Sequence, residues 1–307
     1  MADVKQSDFN INIKEEMKKE DLITGGTFAC AGCNPILGIR LVLIALGKKT
    51  IMINASGCMT LTATWPFTPY KIPWVHGAIE NGASVAAGIL MGLKAQKKDK
   101  DTHIVVYAGD GATYDIGLQA LSGMVYRKEK IIYVCYNNCQ FANTGHQASS
   151  ATEKYARTST TPPPLGNPLP RKNMAKMMAL NGADYCATAC TAFPFDFIKK
   201  MRKAATMKGA SFIDLLTPCE PGWLVNTWET LKAGKQMVET GMWPLYEIEN
   251  KRITLNHKPK MLPVKEALRI QGRFKHLTEK QISEIQETVI KEWEMITKGR
   301  FWEAEEY

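Results

Sequence analysis

The stretch GDGATYDIG at residues 109–117 decides the fold, because it joins two apolar runs that resemble strands. The run HIVVY at 103–107 precedes it, and the run IIYVCY at 131–136 leads into NNCQFANTG at 137–145. Such runs, separated by a helix-like segment, predict a β-α-β unit with parallel strands. Asp110 and Asn138 would then stand at the carboxyl ends of two strands.

The residues at these predicted strand ends suit a magnesium ion and a diphosphate. Mg²⁺ prefers near-octahedral oxygen coordination and is commonly held by one or two side-chain oxygens together with phosphates. Asp110 and Asn138 supply such oxygens, while Gly109 and Gly111 let a phosphate approach the backbone amides. A GDG turn alone also occurs as a plain strand-to-helix connection. Together with the asparagine it predicts a diphosphate–magnesium site.

The composition is that of an ordinary globular protein. Its 307 residues are 45% hydrophobic and 22% charged, enough for one large domain or two small ones. The net charge of +9 comes from Lys and Arg pairs scattered along the chain, which favours acidic substrates or partners over nucleic acid. No apolar run is long enough to cross a bilayer, and the amino terminus is charged rather than signal-like. We therefore expect a cytoplasmic location.

Four of the eight cysteines fall in loops beside Gly or Pro. Cys30 and Cys33 form a CxxC in a glycine-rich loop, whereas Cys58 and Cys219 each follow a strand-like run. Four thiolates suit Zn²⁺ or an iron–sulfur cluster, and a CxxC before a helix also suits a redox dithiol. Zinc ribbons generally carry two CxxC knuckles, so this pattern favours a [4Fe-4S] cluster. Three more, Cys135, Cys186 and Cys190, are expected to pack as small hydrophobic residues.

Helix-like and strand-like segments alternate along the chain, which predicts an α/β fold with a mainly parallel sheet flanked by helices. We divide the chain into a charged arm at 1–23, an α/β domain at 24–227 that carries both sites, and a helical subunit-docking extension at 228–307. A small-residue helix is expected from His76, with this histidine either facing the site or capping the helix. Residues 158–170, rich in Thr and Pro, are expected to form a long ordered loop.

Five motifs together resemble the β subunit of the pyruvate:ferredoxin oxidoreductase family, the thiamine-diphosphate subunit of 2-oxoacid oxidoreductases. They are CAGC at 30–33, NASGC at 54–58, GDGATYDIGLQALSGM at 109–124, NTG at 143–145 and TPCEPGW at 217–223. The similarity covers most of residues 24–224 and continues into QGRFKHL at 271–277. It implies the thiamine-diphosphate-binding (pyrophosphate-type) fold with an iron–sulfur loop region.

The resemblance also assigns roles to single residues. It implies that Asn143 reaches the substrate and that Mg²⁺ is bound by Asp110, Asn138 and the backbone carbonyl of Gln140. Further cofactor contacts would come from Gly109, Gly111 and Ser56, and the [4Fe-4S] cluster would be held by Cys30, Cys33, Cys58 and Cys219.

The implied reaction is oxidative decarboxylation of a small 2-oxoacid, with electrons leaving one at a time through the cluster to ferredoxin. In this family a glutamate from a second domain activates the aminopyrimidine ring of the cofactor, and no such domain is recognisable in this sequence. We therefore expect a partner subunit to supply that glutamate and this polypeptide to be inactive alone.

Two other protein classes are possible, and each explains only part of the motifs. A non-redox thiamine-diphosphate decarboxylase or synthase would leave the loop cysteines unexplained. A zinc-stabilised, non-catalytic binding subunit would leave Asp110 and Asn138 without a role.

The segment after the second strand bears on the substrate. Pyruvate-type members of the family usually read YDNEAYMNTGIQ where this chain reads YNNCQFANTGHQ at 136–147. Asn137 and Cys139 each replace an acid, Ala142 replaces a larger apolar residue and His146 an aliphatic one. Losing two negative charges and gaining an imidazole favours a more anionic substrate. We expect oxalate, split to two CO₂ without coenzyme A, over pyruvate, although Cys139 also suits an inert packing role.

Overall fold

One mixed sheet runs through the protein, whose computed structural model describes residues 11–16 and 18–302. Residues 1–10 of the predicted arm lie outside the described part. The strands are Thr50–Ala55 (β1), Trp74–Gly77 (β2), His103–Gly109 (β3), Ile132–Asn137 (β4), Tyr185–Cys190 (β5), Ser211–Leu216 (β6), Tyr246–Glu249 (β7) and Arg252–Leu255 (β8). Their order is β2-β1-β3-β4-β6-β5-β7-β8. Since β1 to β6 are all parallel, the predicted fold class is confirmed.

Helices cover both faces of this sheet. They are Ile13–Glu16 (α1), Asn34–Leu46 (α2), Gly82–Ala95 (α3), Leu118–Tyr126 (α4), Met174–Leu180 (α5), Pro194–Thr206 (α6), Glu220–Trp223 (α7), Thr230–Glu239 (α8), Lys265–Leu268 (α9) and Glu279–Thr297 (α10). One core lies between the sheet and α2 and α6, and a second lies between the sheet and α3, α4 and α5. Because alternate side chains of a strand point to opposite faces, a strand covered on both sides has to be apolar throughout. This explains the continuous apolar runs in β3 and β4.

The two central strands end side by side. Gly109 of β3 is paired with Tyr136 of β4, so the residues that follow each strand emerge at the same sheet edge. After β3 the chain makes a wide helical turn at Gly111–Ile116, closed by a hydrogen bond from Gly117 N to Ala112 O of 2.7 Å. The turn leads into α4, as expected for a β-α-β unit. The register therefore places Asp110 next to Asn138.

One expectation about secondary structure is wrong. The helix expected from His76 begins only at Gly82, and His76 lies in β2 because Trp74 and Val75 pair with β1. Within the extension at 228–307, the stretch 245–255 is extended, as its sequence indicates, and its strands β7 and β8 lengthen the sheet in antiparallel fashion. In β7 the side chains alternate between buried and half-buried, which is the period of a strand rather than of a helix.

The same extension packs against the carboxyl ends of the strands. Its Met237 and Trp243 share a third core with Cys139, Cys190 and Trp223 of the preceding domain. The division at residue 227 and the docking role of the extension stay predictions. In the part of the chain that the structure describes, no helix is both long and apolar enough to span a membrane.

Close packing of α2 on the sheet gives a stability prediction. An added Cβ at Gly38 would stand 2.3 Å from the hydroxyl of Tyr107 and 2.9 Å from Leu215 Cδ2. Tyr107 is fully buried and donates a hydrogen bond of 2.7 Å to Pro35 O, so it has no free direction in which to move. We expect Gly38→Ala to lower the free energy of unfolding by about 1–3 kcal/mol, measured by urea unfolding followed by circular dichroism.

The matched control is Gly88→Ala, also within a helix. A Cβ there meets no described atom within 4 Å. Alanine should raise the free energy of unfolding by about 0.5–1 kcal/mol through backbone entropy. Equal effects of the two substitutions would contradict the close contact at Gly38.

Candidate functional site

Asp110 and Asn138 meet at the sheet edge, as the sequence predicts. Asp110 is fully buried, and only 3% of the Asn138 surface is exposed. The backbone N–H of Asn138 donates to Asp110 Oδ1 at 3.2 Å, and the hydroxyl of Ser149 donates to Asp110 Oδ2 at 2.5 Å. The carboxylate is thus fixed on both sides by the loop that follows β4.

Three groups converge at this point with geometry that fits a cation. The end of the Asn138 carboxamide that faces Asp110 stands 3.0 Å from Asp110 Oδ1 and 2.8 Å from the backbone oxygen of Gln140. If the amide nitrogen of Asn138 occupies this position, it donates to both oxygens. If the amide oxygen occupies it, three oxygens from Asp110, Asn138 and Gln140 face one another, and a shared cation would hold them together. In an octahedron with Mg–O distances of about 2.1 Å, neighbouring oxygens are about 3 Å apart. The residues therefore fit Mg²⁺ ligation.

The electrostatics of Asp110 point the same way. Burial raises the pKa of its carboxyl to about 7, and the hydrogen bonds from Ser149 and from the Asn138 backbone only partly offset this. A buried carboxylate favours a bound cation, because the cation replaces the solvation that burial removes. A divalent cation at this point would therefore stabilise the ionised Asp110 carboxylate most strongly.

The glycines of the turn leave room for neighbouring rings. A Cβ at Gly111 would stand 2.3 Å from the ring of Phe141, and one at Gly109 would stand 3.2 Å from the ring of Tyr136. The hydroxyl of Tyr136 reaches the turn after β1, where a Cβ at Gly57 would lie 2.5 Å from it. Tyr136 therefore fills the space between the turns that carry Asp110 and Cys58.

Ser56 and His76 lie at the ends of β1 and β2, at the same sheet edge. The Ser56 hydroxyl is 2.7 Å from His76 Nε2 and donates to Gly77 O at 3.0 Å. His76 is thus a neighbour of a predicted cofactor residue, and of its two predicted roles the helix cap is wrong.

The predicted substrate residues divide into two groups. Asn143 is exposed and Ala142 and His146 are half-buried, whereas Asn137 and Cys139 are fully buried. Asn137 donates to Tyr114 Oη at 3.0 Å and to Asp214 Oδ1 at 3.1 Å, and it accepts from Cys139 N at 2.9 Å. Its carboxamide is therefore engaged within the core.

Cys139 is likewise enclosed. It belongs to the third core with Ala156 and Trp223, and burial strongly raises the pKa of its thiol. A neutral thiol surrounded by apolar side chains packs as a small hydrophobic residue. The packing role that the sequence left open for Cys139 is the one that fits its surroundings.

The four loop cysteines come together on the neighbouring side of the same edge. Burial raises the pKa of the Cys58 thiol to about 12, with further contributions from negative charge on Cys219, Cys33 and Cys30. Burial likewise raises the pKa of Cys33 to about 11 and that of Cys219 to about 12. Charges that act on one another in this way are close in space. Cys135, Cys186 and Cys190 are instead fully buried in strands, as predicted for packing residues.

Hydrogen bonds hold the two cysteine-bearing loops against each other. Asn34, next to the CxxC, donates from Nδ2 to Pro218 O at 3.0 Å and accepts from the hydroxyl of Thr191 at 2.8 Å. Gly32 has φ of +73°, and a Cβ there would stand 2.7 Å from Thr227 O. Only glycine suits both the backbone angle and the close approach at this position.

The spacing of these thiols bears on the kind of metal. Among the described residues, no three His, Cys, Asp or Glu side chains are arranged to hold a metal ion. A single zinc ion needs all of its ligands within bonding distance of one centre. A four-iron cluster binds each thiolate at a separate corner, so it tolerates a wider spacing. The arrangement of the described side chains therefore does not distinguish a zinc site from a cluster site.

Two residues of the site were missed from the sequence. Ser149 donates to Asp110, but the segment around it has no recognisable motif. Trp223 donates from Nε1 to Asn138 O at 2.8 Å and lies under the guanidinium of Arg273, 3.9 Å from its ring. Its place in TPCEPGW, four residues after Cys219, was the available signal.

Comparison with known proteins finds similar sequences along most of the chain. A family model described as thiamine pyrophosphate enzyme, C-terminal TPP binding domain, matches residues 55–215. The chain is 44% identical over 279 residues to pyruvate synthase subunit PorB of Methanothermobacter thermautotrophicus, covering 89% of this chain and 96% of that protein. It is 38% identical over 305 residues to ketoisovalerate oxidoreductase subunit VorB of Pyrococcus horikoshii, covering 94% and 98%.

Solved structures add a likeness in fold. The 2-oxoglutarate:ferredoxin oxidoreductase from Magnetococcus marinus superposes with a TM-score of 0.56 at 24% identity, covering 65% of this chain and 67% of that chain. At that identity the likeness extends to the fold alone.

Asp110→Asn tests the cation site, because it removes the buried charge and keeps the shape. We expect the variant to lose the rise in melting temperature that Mg²⁺ and thiamine diphosphate give to the purified protein. Without those ligands the variant should be more stable by about 1–3 kcal/mol, because the cost of burying a carboxylate is gone. Differential scanning calorimetry with and without both ligands measures the two effects.

Asp115→Asn is the control for this substitution. Asp115 accepts from Ser150 N at 3.0 Å and lies near Lys172, away from the three-oxygen face. This variant should keep the ligand-dependent rise in melting temperature. A full rise in the Asp110 variant would rule out its role as a ligand.

Proposed function

The chain belongs to the family of thiamine-diphosphate-binding β subunits of 2-oxoacid:ferredoxin oxidoreductases, and we propose that it carries the decarboxylation site and the first electron acceptor of such an enzyme. Its relatives are enzyme subunits that act with partner subunits. The observation that carries the proposal is the convergence of Asp110, the Asn138 carboxamide and the backbone oxygen of Gln140 on one point, beside four neighbouring cysteines.

The residues around this point have different roles in the proposed reaction. When bound, thiamine diphosphate supplies a nucleophilic carbon and an electron sink for decarboxylation. Asp110, Asn138 and the carbonyl of Gln140 would hold Mg²⁺ at its diphosphate, while Gly109 and Gly111 flank Asp110 in the turn and pack against the rings of Tyr136 and Phe141. Ser149 and Trp223 keep Asp110 and Asn138 in place. Asn143, which is exposed in the loop after β4, would contact the substrate.

The cysteines supply the route for electrons. Cys30, Cys33, Cys58 and Cys219 would bind a [4Fe-4S] cluster, for which thiolates are the usual ligands. Metal ligands have to be deprotonated, and the cationic iron core offsets the burial that keeps these thiols neutral. Tyr136 packs against both the Cys58 turn and the Asp110 turn. Such proximity favours transfer of electrons one at a time from the decarboxylation site to the cluster.

Partner subunits complete the proposed enzyme. We propose that a partner supplies the glutamate that activates the cofactor, and that ferredoxin is the final acceptor. Large exposed apolar side chains lie beside the cysteine loops, namely Phe28 at 65%, Trp65 at 92% and Phe67 at 65% exposure. Exposed aromatic side chains of this kind are typical of protein interfaces.

For the substrate we rank pyruvate first and oxalate second. The relatives are named for pyruvate and ketoisovalerate, and the burial of Asn137 and Cys139 removes the charge difference on which oxalate was preferred. The substitutions at Ala142 and His146 still favour oxalate, because these two residues border the more accessible side of the loop. Burial lowers the pKa of His146, so its imidazole is neutral at pH 7 and offers a hydrogen bond rather than a charge.

Cys219→Ser tests the cluster in the complex co-purified anaerobically with its partner subunits. We expect loss of about four iron atoms per chain and of part of the brown absorbance near ~400 nm. Cys186→Ala, a thiol buried in β5, should change neither. One zinc per chain, lost in the Cys219 variant with no change in iron, would instead support the zinc-stabilised subunit.

Viologen reduction by the complex, with and without coenzyme A, tests the substrate. Pyruvate with coenzyme A should give the highest rate among pyruvate, 3-methyl-2-oxobutanoate, 2-oxoglutarate and oxalate. Asn137→Asp should lower the melting temperature, because the new carboxylate faces Asp214, whose Oδ1 is 3.1 Å from Asn137 Nδ2. It should leave the ratio of pyruvate to oxalate turnover unchanged.

His146→Ile is the matched variant for this comparison. It restores the aliphatic residue on the accessible side of the loop without adding a buried charge, so any change in the pyruvate-to-oxalate ratio should appear here. A ratio that changes with Asn137→Asp at unaltered stability would contradict the structural role of Asn137. Fast coenzyme-A-independent reduction by oxalate would place oxalate first.

A further inference from the structure

Arg273 is a buried cation without a paired anion. Only 1% of its surface is exposed, although charged side chains are rarely buried unless an opposite charge pairs with them. In the described part of the chain it forms no ion pair, and its Nη2 atom has no hydrogen-bond partner. Its Nε donates to Gln271 Oε1 at 2.9 Å. The fold therefore keeps a positive charge at this place without neutralising it.

Two aromatic rings take the place of the missing anion. The guanidinium carbon of Arg273 lies 3.9 Å from the ring centre of Trp223 and 4.9 Å from that of Phe274. The face of an aromatic ring carries partial negative charge and attracts a cation, most strongly for tryptophan and where water is excluded. Trp223 is fully buried, so this contact is shielded from solvent. The charge of Arg273 thus acts mainly on the indole of Trp223.

The indole of Trp223 connects Arg273 with the cation site. Its Nε1 donates to the backbone oxygen of Asn138 at 2.8 Å, and the backbone N–H of Asn138 donates to Asp110 Oδ1 at 3.2 Å. A cation on the ring face draws electron density from the indole, which makes the indole N–H a stronger donor. Arg273 is therefore two contacts away from Asn138, a residue proposed to bind Mg²⁺.

The backbone around Trp223 is fixed by close packing on two sides. The carboxamide of Gln140 packs on Gly222, where an added Cβ would be 1.4 Å from Gln140 Nε2. A Cβ at Gly272 would be 2.6 Å from Leu224 Cβ, and Gly272 N donates to Leu224 O at 3.1 Å. Because Arg273 directly follows Gly272, this packing also places the guanidinium over the indole. The contact is therefore built into the fold.

We propose that Arg273 is a positioning residue for the cofactor, whose charge holds the Trp223 indole in the orientation that donates to Asn138 and thereby raises the affinity of the site for Mg²⁺ and thiamine diphosphate. The inference rests on the proposed function. Arg273 lies in the turn Gly272–Phe274, within the extension at 228–307. Cofactor affinity at the edge of the sheet thus depends on a residue of that extension.

The test is a calorimetric titration of the co-purified complex with thiamine diphosphate at a fixed Mg²⁺ concentration, after a chelator and gel filtration have removed both ligands. Arg273→Met keeps a side chain of similar length without the charge, and Trp223→Phe keeps a ring without the N–H. We expect each variant to raise the Kd about tenfold, as for other groups that orient a metal ligand. Arg273→Lys, which restores a cation without the planar guanidinium, should recover part of the affinity.

The double variant of Arg273→Met with Trp223→Phe examines whether the two residues act through one hydrogen bond. It should bind no more weakly than Trp223→Phe alone, because the charge has no N–H left to orient. Independent effects would instead multiply to about a hundredfold. A hundredfold loss in the double variant overturns the inference.

Arg269→Met is the matched control, because Arg269 lies in the same extension but has a side chain that is 66% exposed and paired with Glu266 at 2.6 Å. It should leave the Kd unchanged. An unchanged Kd in Arg273→Met, with only a lower melting temperature of the stripped complex, overturns the inference. If Arg273→Met does not fold, Trp223→Phe decides, and an unchanged Kd there overturns it too. Absence of saturable binding in the wild-type complex overturns the proposed function itself.

Discussion

The parallel pairing of β3 with β4 is the constraint on which the rest of the structure depends. Gly109 lies opposite Tyr136, so both chains leave the sheet at the same level and deliver Asp110 and Asn138 to one point. A shift of one residue would also turn the buried side chains of a strand to the opposite face, where their packing would be lost. The apolar cores on the two faces thus hold the register that the site requires.

The site gathers groups that repel one another when charged. Asp110 and Asp214 are both fully buried, with carboxyl pKa values raised by burial to about 7 and about 6, and the thiols of Cys58 and Cys219 have pKa values raised to about 12. Such an arrangement is costly in a protein without cations and favourable with them. If the proposed cations bind here, part of their binding free energy would come from relieving this repulsion. Folding stability and cation affinity would then depend on the same atoms.

The strands, and the meeting of Asp110 with Asn138 at one sheet edge, could be predicted because they depend on local patterns. Apolar runs indicate buried parallel strands, and the glycines around Asp110 indicate a turn. The depth of Asn137 and Cys139 could not be predicted, because a strand end exposes or buries a side chain according to what packs over it. Here α8 and the segment around Trp243, roughly a hundred residues further on, close over Cys139. The small residues that follow His76 likewise predict a helix, but pairing with β1, which the local sequence does not reveal, places His76 in a strand.

The contact between Gln140 and Gly222 has a consequence for related sequences. The carboxamide occupies the space that any side chain at 222 would need. A chain with a bulkier residue at 222 could keep only a small residue at 140, and a chain with glutamine at 140 requires glycine at 222. The two positions, 82 residues apart, are therefore expected to covary across homologues, because a side chain at either one limits the size of the other.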